Sequence, residues 1–375
     1  MRELLPKKRL KMPKVLRLNK GAEEGLREFL KLLLESGKVS GVLALTKVNE
    51  SGGVAYSLTT APHALKDASP LFPLMPANAG KELSRITLMG PSDKPIAAVM
   101  RPCELRGLVE LLKRYQGSME NFLLISLTCG GVYPLKTAAS ENIEEKLPQY
   151  WDAVRKGEIP ADIRPNCMAC TQFIPYTADM TIALTGNDNI DKQLEIYLNS
   201  EKAEEIVTGM EQEVSEQELN IEALETLRSK RKTQKDKLLD EFKELDMEKV
   251  FGRCIGCHAC SKVCPACYCH LCFFDSPSSE HEALDYERGL EKWGSVRVPL
   301  DTIFYHLVRL FHVSMSCVGC GQCNDVCPVN IPLGAVALKT SETVQESFDY
   351  VAGKSIEEGL PITTFKPEEF SGVEG

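Results

Sequence analysis

The chain has 375 residues, with 53 acidic residues against 44 basic ones and a formal net charge of -9. This length is enough for two or three ordinary domain cores. The acidic balance argues against nucleic acid as a partner, because phosphate binding relies on clustered lysines and arginines.

The first twenty residues are basic and lack the apolar core of a secretion signal, so we expect a cytoplasmic chain. This segment is interpreted either as a solvated tail or as a docking segment for an acidic partner. The most apolar later stretch, residues 298–315, is interrupted by Asp301, His306, Arg309 and His312. Charged side chains are costly inside a bilayer, so we expect no membrane span.

Helical and strand patterns alternate through the first half of the chain. Residues 21–46 predict an amphipathic helix that ends near Gly37 and a strand that follows it. Two further strands are predicted at 96–100 and 122–127, with a helix over 105–115 between them. This alternation predicts an α/β front domain over residues 15–187.

Four cysteines fall in this front region. Cys103 and Cys129 each follow a predicted strand, where their loops could converge on the C-x2-C pair formed by Cys167 and Cys170. By spacing alone, such a pair is compatible with a zinc site, a redox pair or buried structural cysteines. The residues alone therefore leave the existence of a shared site open.

The composition shifts after the front domain. Residues 188–250 are rich in Glu, Lys, Gln and Leu, which predicts a charged helical connector. We expect a cysteine-rich module at 251–340 and an extended tail at 341–375. The tail carries scattered aromatic residues and is expected to wrap a partner or its own surface; these aromatics are Phe348, Tyr350, Phe365 and Phe370.

The cysteine-rich module contains the same motif twice, C-x2-C-x2-C-x3-C-P. Closely spaced thiolates on one loop reach three corners of a 4Fe-4S cubane, while the fourth cysteine, followed by proline, ligates the other cluster. This rule predicts two ligand sets. The first is Cys254, Cys257, Cys260 and Cys327, and the second is Cys317, Cys320, Cys323 and Cys264.

Zinc is the alternative metal, but zinc sites usually use separated C-x2-C pairs. More than fifty residues separate the two motifs and carry helical patterns at 286–293 and 300–315. This arrangement resembles the α-helical ferredoxin domain of heterodisulfide reductase and succinate dehydrogenase iron-sulfur subunits. His306 and His312 are interpreted as packing residues, because eight cysteines already satisfy two cubanes.

Three further cysteines, Cys267, Cys269 and Cys272, follow a predicted cluster ligand, with His270 among them and His281 nearby. One interpretation is a zinc site or a further cluster, completed by a histidine or by a partner's cysteine. The other is that these thiols pack around the cubane and donate weak hydrogen bonds that tune its potential.

The segment 164–173, RPNCMACTQF, and the Ala-Asp-Met at 178–180 resemble the coenzyme F(420)-reducing hydrogenase and dehydrogenase beta-subunit family over residues 20–186. Together with the twin-motif module, the chain is most similar to the formate dehydrogenase beta subunits of that family. The resemblance implies a third 4Fe-4S cluster on four cysteines and FAD close by, with Asp179 and Gly186 as flavin-binding residues; the cysteines are Cys103, Cys129, Cys167 and Cys170.

The chain departs from this family where a glycine-rich turn is expected. Ala183 replaces the first glycine and only Gly186 remains, and no G-x-G-x-x-G fingerprint occurs anywhere. The sequence therefore carries no independent indication of a dinucleotide site.

A flavin exchanges two electrons as a hydride, whereas a cubane moves one, so a flavin beside a cluster divides electron pairs. The resemblance, together with the twin-motif module, implies the electron-transfer beta subunit of an anaerobic formate dehydrogenase, hydrogenase or heterodisulfide-reductase-linked complex. Coenzyme F(420) is its candidate substrate, and the catalytic subunits are its partners. The alternatives are a flavin-free ferredoxin-like conduit and a zinc-bound scaffold. No residue is nominated as a general acid, base or nucleophile.

Overall fold

A computed structural model of the chain describes residues 13–48, 53–210, 213–244 and 246–364. Most of the basic N-terminal segment, together with Phe365 and Phe370 of the predicted tail, lies outside the described residues.

The front domain is built on one mixed sheet. Its strands are β1 (Lys14–Leu18), β2 (Gly41–Lys47), β3 (Val54–Thr59), β4 (Ile96–Val99), β5 (Phe122–Leu127), β6 (Met180–Ile182), β7 (Leu194–Leu198) and β8 (Glu213–Glu216). The spatial order is β3-β2-β4-β5-β6-β7-β1-β8. The centre, β2-β4-β5-β6, is parallel, and the outer strands pair antiparallel. Strands β4 and β5 are buried throughout, as expected for a parallel sheet covered on both faces.

Helices cover both faces of this sheet: α1 (Ala22–Glu35), α2 (Ala79–Ile86), α3 (Pro102–Leu112), α4 (Leu135–Ser140), α5 (Ile143–Arg155), α6 (Pro165–Met168) and α7 (Glu201–Val207). Helix α1 forms because Leu26, Phe29, Leu30 and Leu33 recur on one face, and all four are fully buried. It ends before Gly37, whose φ of +68° suits glycine. The predicted α/β class of the front domain is confirmed.

The sheet extends beyond the expected boundary at residue 187, so that boundary is corrected. Strands β7 and β8 both lie in the segment expected to be a helical connector, and each pairs with β1. All five residues of β7 are buried, which favours a strand over a solvated helix. The charged helix appears only later, as α8 (Ile221–Asp240), which packs Leu224 and Leu227 against the front domain.

The C-terminal module is helical in its described residues. Its helices are α9 (Met247–Phe251), α10 (Ala259–Val263), α11 (Ala283–Trp293), α12 (Thr302–Val313), α13 (Gln322–Asp325) and α14 (Leu333–Ser347). The predicted helices at 286–293 and 300–315 are therefore present as α11 and α12. The core of this module is small and includes four cysteines beside Phe251, Tyr305 and Val336.

The first residues of the expected tail are helical, because α14 continues to Ser347. The chain then folds back on α3. Arg106 Nε donates to the Ala352 carbonyl oxygen at 2.8 Å, and the Gly353 amide donates to the Glu110 carboxylate at 2.7 Å. The described part of the tail thus covers its own front domain. Across the described helices, none has the length and apolarity needed to cross a membrane.

Candidate iron-sulfur sites

Two of the front cysteines lie at the carboxyl edge of the parallel strands. Cys103 occupies the first turn of α3, just after β4, and Cys129 follows β5. Strands β4 and β5 are parallel neighbours, so their carboxyl ends meet at one edge of the sheet. That edge is where open α/β sheets usually place their ligand sites.

The C-x2-C pair approaches this edge from α6. The Arg164 amide donates to the Val132 carbonyl oxygen at 2.8 Å, and the Cys129 amide donates to the Phe173 carbonyl oxygen at 2.9 Å. These bonds tie the α6 segment to the loop after β5. All four front cysteines consequently line one cavity; they are Cys103, Cys129, Cys167 and Cys170.

Three buried arginines line the same cavity: Arg101, Arg164 and Arg231 are 3%, 1% and 1% exposed. The Nε atom of each is buried without a hydrogen-bond partner. A cubane with four thiolate ligands is negatively charged, and its sulfurs accept hydrogen bonds. The donor set and the cations of the cavity therefore fit a 4Fe-4S cluster.

Sequence reasoning did not identify these arginines. A signal was present, because Arg101-Pro102 precedes Cys103 and Arg164-Pro165 precedes the Cys167 pair. Arg231 had no such signal, since it lies among the charged residues of α8. Its guanidinium lies 4.7 Å from the Phe173 ring centroid and donates to the Gly130 carbonyl oxygen at 2.7 Å.

The first twin-motif set also surrounds one cavity. Cys254, Cys257 and Cys260 line it together with Cys327, which comes from the second motif. Cys327 thus lies beside the first motif, and its role as a ligand of the first cluster stays a prediction. Two polar groups of α12 contact these thiols: Tyr305 Oη lies 3.5 Å from Cys260 Sγ, and His306 Nε2 lies 3.3 Å from Cys254 Sγ.

His306 is a packing residue, as the sequence suggested, with its ring stacked 4.3 Å from Phe251. Burial lowers the pKa of His306 to about 4, and the positive charge of Arg309 acts in the same direction. The imidazole is therefore neutral near pH 7. The spacing of residues in the sequence did not predict the contact between His306 and Cys254.

The second twin-motif set is drawn together around Cys264. Burial raises the pKa of the thiols of Cys317 and Cys320, and the neighbouring Cys264 sulfur raises both further. Burial likewise raises the pKa of Cys323 to about 12, opposed by Arg309 and reinforced by Cys264. These electrostatic interactions connect Cys264 with all three cysteines of the second motif. Cluster assembly must displace the protons of these thiols.

The front set and this second set are adjacent. Cys320 lines the front cavity beside Cys103. After burial, Cys320 is the largest influence that raises the pKa of Cys103. Helix α10, which carries Cys260 of the first twin-motif set, packs against α13, which carries Cys323. The three sets therefore follow one another in space, with the second set in the middle.

Cations of the front domain hold the cysteine loops of the module. Lys81 Nζ donates to the carbonyl oxygens of Lys262 and Cys264 at 2.7 and 2.8 Å. Lys136 Nζ donates to the Cys327 carbonyl oxygen at 2.6 Å. Arg164 forms a buried ion pair with Asp325 of α13 at 2.5 Å. These contacts fix the module against the front cavity.

The remaining cysteines of the module, Cys267, Cys269 and Cys272, line a cavity of about 260 Å³ beside α2, together with His270. The Cys267 thiol hydrogen-bonds Cys264 and lowers the pKa of Cys264. His281 instead faces Asp285 and Asp301. In the part of the chain that the structure describes, no three His, Cys, Asp or Glu side chains are arranged to hold a single metal ion. The role of these cysteines stays a prediction.

The two predicted flavin residues lie on either side of β6. The Asp179 carboxylate accepts from the Leu124 amide at 2.9 Å and from Ser200 Oγ at 2.7 Å. Gly186, with φ of +73°, forms a turn whose amide donates to the Val154 carbonyl oxygen at 2.9 Å. Both residues thus have internal structural contacts, and their flavin role stays a prediction.

Comparison with family models gives two matches. Residues 93–226 match the C-terminal part of the coenzyme F(420) hydrogenase/dehydrogenase beta subunit. Residues 250–331 match a 4Fe-4S dicluster domain. The first match contains the four front cysteines, and the second contains both twin-motif sets.

Curated relatives extend the similarity over most of the chain. The F(420)-dependent formate dehydrogenase subunit beta of Methanocaldococcus jannaschii is 28% identical over 370 residues, covering 88% of this chain and 91% of the relative. The F(420)-dependent formate dehydrogenase 1 subunit beta of Methanococcus maripaludis is 28% identical, covering 86% and 88%. Sulfhydrogenase 2 subunit beta of Pyrococcus furiosus is 24% identical, covering 56% of this chain and 71% of the relative.

Proposed function

We propose that this chain, which resembles the coenzyme F(420) hydrogenase and dehydrogenase beta subunits and carries a 4Fe-4S dicluster domain, conducts electrons through three 4Fe-4S clusters. Its relatives are beta subunits of oxidoreductases, so a multi-subunit oxidoreductase is the expected setting. The proposed complex is of the formate dehydrogenase, hydrogenase or heterodisulfide-reductase-linked kind.

The observation that carries this proposal is the spatial sequence of the three cysteine sets. Cys320 belongs to the middle set by motif and also lines the front cavity. Clusters on these sets would be neighbours, and each would move one electron at a time. Electrons entering at the front cavity would pass through the middle cluster to the cluster on Cys254, Cys257, Cys260 and Cys327. Cys257 is exposed, so this last cluster would lie near the surface.

FAD beside the front cluster is the second part of the proposal. When bound, a flavin supplies the conversion between a hydride and two single electrons. Coenzyme F(420) is the proposed hydride carrier, because two relatives are named as F(420)-dependent formate dehydrogenase subunits. The catalytic dehydrogenase or hydrogenase subunit would then exchange electrons with the far end of the cluster series.

A flavin-free electron conduit is the alternative, and one observation favours it. The carboxylate of Asp179 is occupied by the Leu124 amide and Ser200 Oγ, and Gly186 is packed against Ala223, so both residues already have structural roles. In this alternative the front domain serves to dock a partner and to hold its cluster.

Anaerobic purification followed by iron, sulfide, zinc and flavin analysis distinguishes these functions. The proposal expects about twelve irons, with matching sulfide, and one flavin per chain. Stopped-flow mixing with reduced coenzyme F(420) should then bleach first the flavin and next the cluster absorbance. Twelve irons without flavin would support the flavin-free electron conduit. A chain containing only zinc would contradict both proposals.

A further inference from the structure

Helix α12 presents a polar face to the interior of the module. Tyr305, His306 and Arg309 are 5%, 1% and 5% exposed, although each carries a polar or charged group. Residues three and four positions apart share a helix face, so Arg309 lies one turn beyond the two residues that contact Cys260 and Cys254. Buried polar residues are usually satisfied by neighbouring groups.

Arg309 lies between the two twin-motif sets. Its Nη2 donates to the carbonyl oxygen of Cys260, a member of the first set, at 3.3 Å. Cys264 and Cys323 of the second set are the two sulfurs with the largest electrostatic influence on its guanidinium, and Cys267, outside both sets, also interacts with it. Lys81 is the other cation that interacts with Cys264, but its Nζ is already surrounded by backbone carbonyl oxygens.

The guanidinium of Arg309 has capacity left for an anionic acceptor. Its Nε and Nη1 are both buried without a hydrogen-bond partner. Among the ion pairs of the described residues, none joins Arg309 to a carboxylate. An unpaired buried charge is strongly destabilising. Cubane sulfides and cysteine thiolates would supply the missing acceptors from both sides.

We propose that the positive charge of Arg309 sets the reduction potentials of both clusters of the C-terminal module. This inference rests on the cluster assignment made above. Each cluster accepts one electron and becomes one unit more negative, with no proton required. A fixed positive charge between the clusters stabilises the reduced state of each, because Coulomb attraction is strong in a buried site. The potentials of both clusters are thereby raised.

The test is an anaerobic redox titration of the full chain, followed by EPR, on four proteins. These are the wild type, Arg309→Met, Arg309→Lys and Lys292→Met. The last variant removes one positive charge from the exposed surface of α11 in the same module and serves as the matched control. Iron and sulfide are counted for each protein, so cluster loading is known before any potential is compared.

Arg309→Met is expected to shift the midpoint potentials of both module clusters downward and to leave the front cluster nearly unchanged. Arg309→Lys should keep both potentials close to the wild-type values, because lysine retains the positive charge although it lacks the planar guanidinium group. Lys292→Met should shift nothing, because water screens its charge. Unchanged potentials in a fully loaded Arg309→Met chain would overturn the inference.

If Arg309→Met loses iron, Arg309→Gln replaces it, since the amide keeps hydrogen-bond donors without charge. Unchanged potentials in a loaded Arg309→Gln chain contradict the inference. Loss of the clusters from both neutral variants contradicts it as well, because the arginine then acts in assembly. Absence of module clusters from the wild type would instead contradict the proposed function, and iron analysis alone detects that case.

Discussion

The front domain and the C-terminal module gather their cysteines by opposite means. The front cavity draws on separate segments: the start of α3, the loop after β5, and α6. A large buried sheet holds these segments in place. The module instead uses two short contiguous motifs on small helices, within a core that contains the cysteines themselves. A rigid scaffold permits a dispersed site, whereas a small module needs its ligands close in sequence.

The two regions also differ in charge. Three buried arginines line the front cavity, whereas Arg309 is the buried cation between the two module sets. The module also places two neutral polar groups, Tyr305 Oη and His306 Nε2, in contact with ligand sulfurs. Charge acts more strongly on a cluster than a neutral hydrogen bond does. The regions are therefore expected to respond very differently to substitution.

The largest expected effect is the selective loss of the front cluster. The double substitution Cys167→Ser and Cys170→Ser removes two of its four thiolates and should reduce iron from about twelve to about eight per chain. The module should keep its clusters, because its ligands come from other segments. Metal analysis of the anaerobic protein measures this, with Met89→Ser at an exposed position of the front domain as the control. Retention of twelve irons by the double variant would show that the front cysteines hold no cluster.

The next effect concerns the joint between the two regions. Asp325→Asn leaves Arg164 buried without its carboxylate partner, and breaking such a pair costs roughly 3–5 kcal/mol. Denaturant unfolding of the chain should show a loss of this order. Asp162→Asn breaks an exposed contact with Lys146 and should change the free energy of unfolding by less than about 1 kcal/mol. Equal losses of unfolding free energy in the two variants would show that the buried pair stabilises the chain no more than the exposed one.

A smaller effect is expected from one arginine of the front cavity. Arg231→Met should lower the midpoint potential of the front cluster most and leave the cluster on the Cys254 set unchanged, because the lost charge lines the front cavity. Arg228→Met is the matched control on the same helix. Its guanidinium lies 5.8 Å from the same Phe173 ring, but its side chain is 24% exposed. A redox titration in which both variants shift alike would exclude a local effect of Arg231.

The smallest effect is expected from a neutral donor. Tyr305→Phe removes the hydroxyl beside Cys260 Sγ and should lower the potential of the cluster on the Cys254 set alone. The shift should be smaller than that of Arg309→Met, and the middle cluster should not respond. Tyr286→Phe, on the partly exposed side of α11, provides the control. Shifts of equal size in both module clusters would argue against a specific contact with Cys260.

The sequence predicted the module better than the front domain for physical reasons. Motif spacing encodes which thiols can reach one cubane, so the sequence predicted Cys327 beside the first motif, and Cys327 lines one cavity with Cys254, Cys257 and Cys260. Strand β7 was missed because its five buried residues lie within a strongly charged segment. Convergence of the front cysteines depends on the parallel pairing of β4 and β5, which spacing alone does not encode.

The buried cations were beyond sequence reasoning. Arg309 and Arg231 look like the solvated charges of an amphipathic or charged helix until the packing of α12 and α8 is known. Composition cannot separate a buried arginine from an exposed one. His306 was correctly expected to pack, but its contact with Cys254 depends on where the first motif folds relative to α12.

The most direct test is the EPR spin count of the fully reduced chain. Three adjacent cubanes should integrate to about three spins per chain and show broadened, mutually split signals. The Cys167→Ser and Cys170→Ser double variant should retain about two spins per chain and lose part of the splitting. Two spins in the wild type, unchanged in this variant, would contradict the account that the front domain adds a cluster to the series.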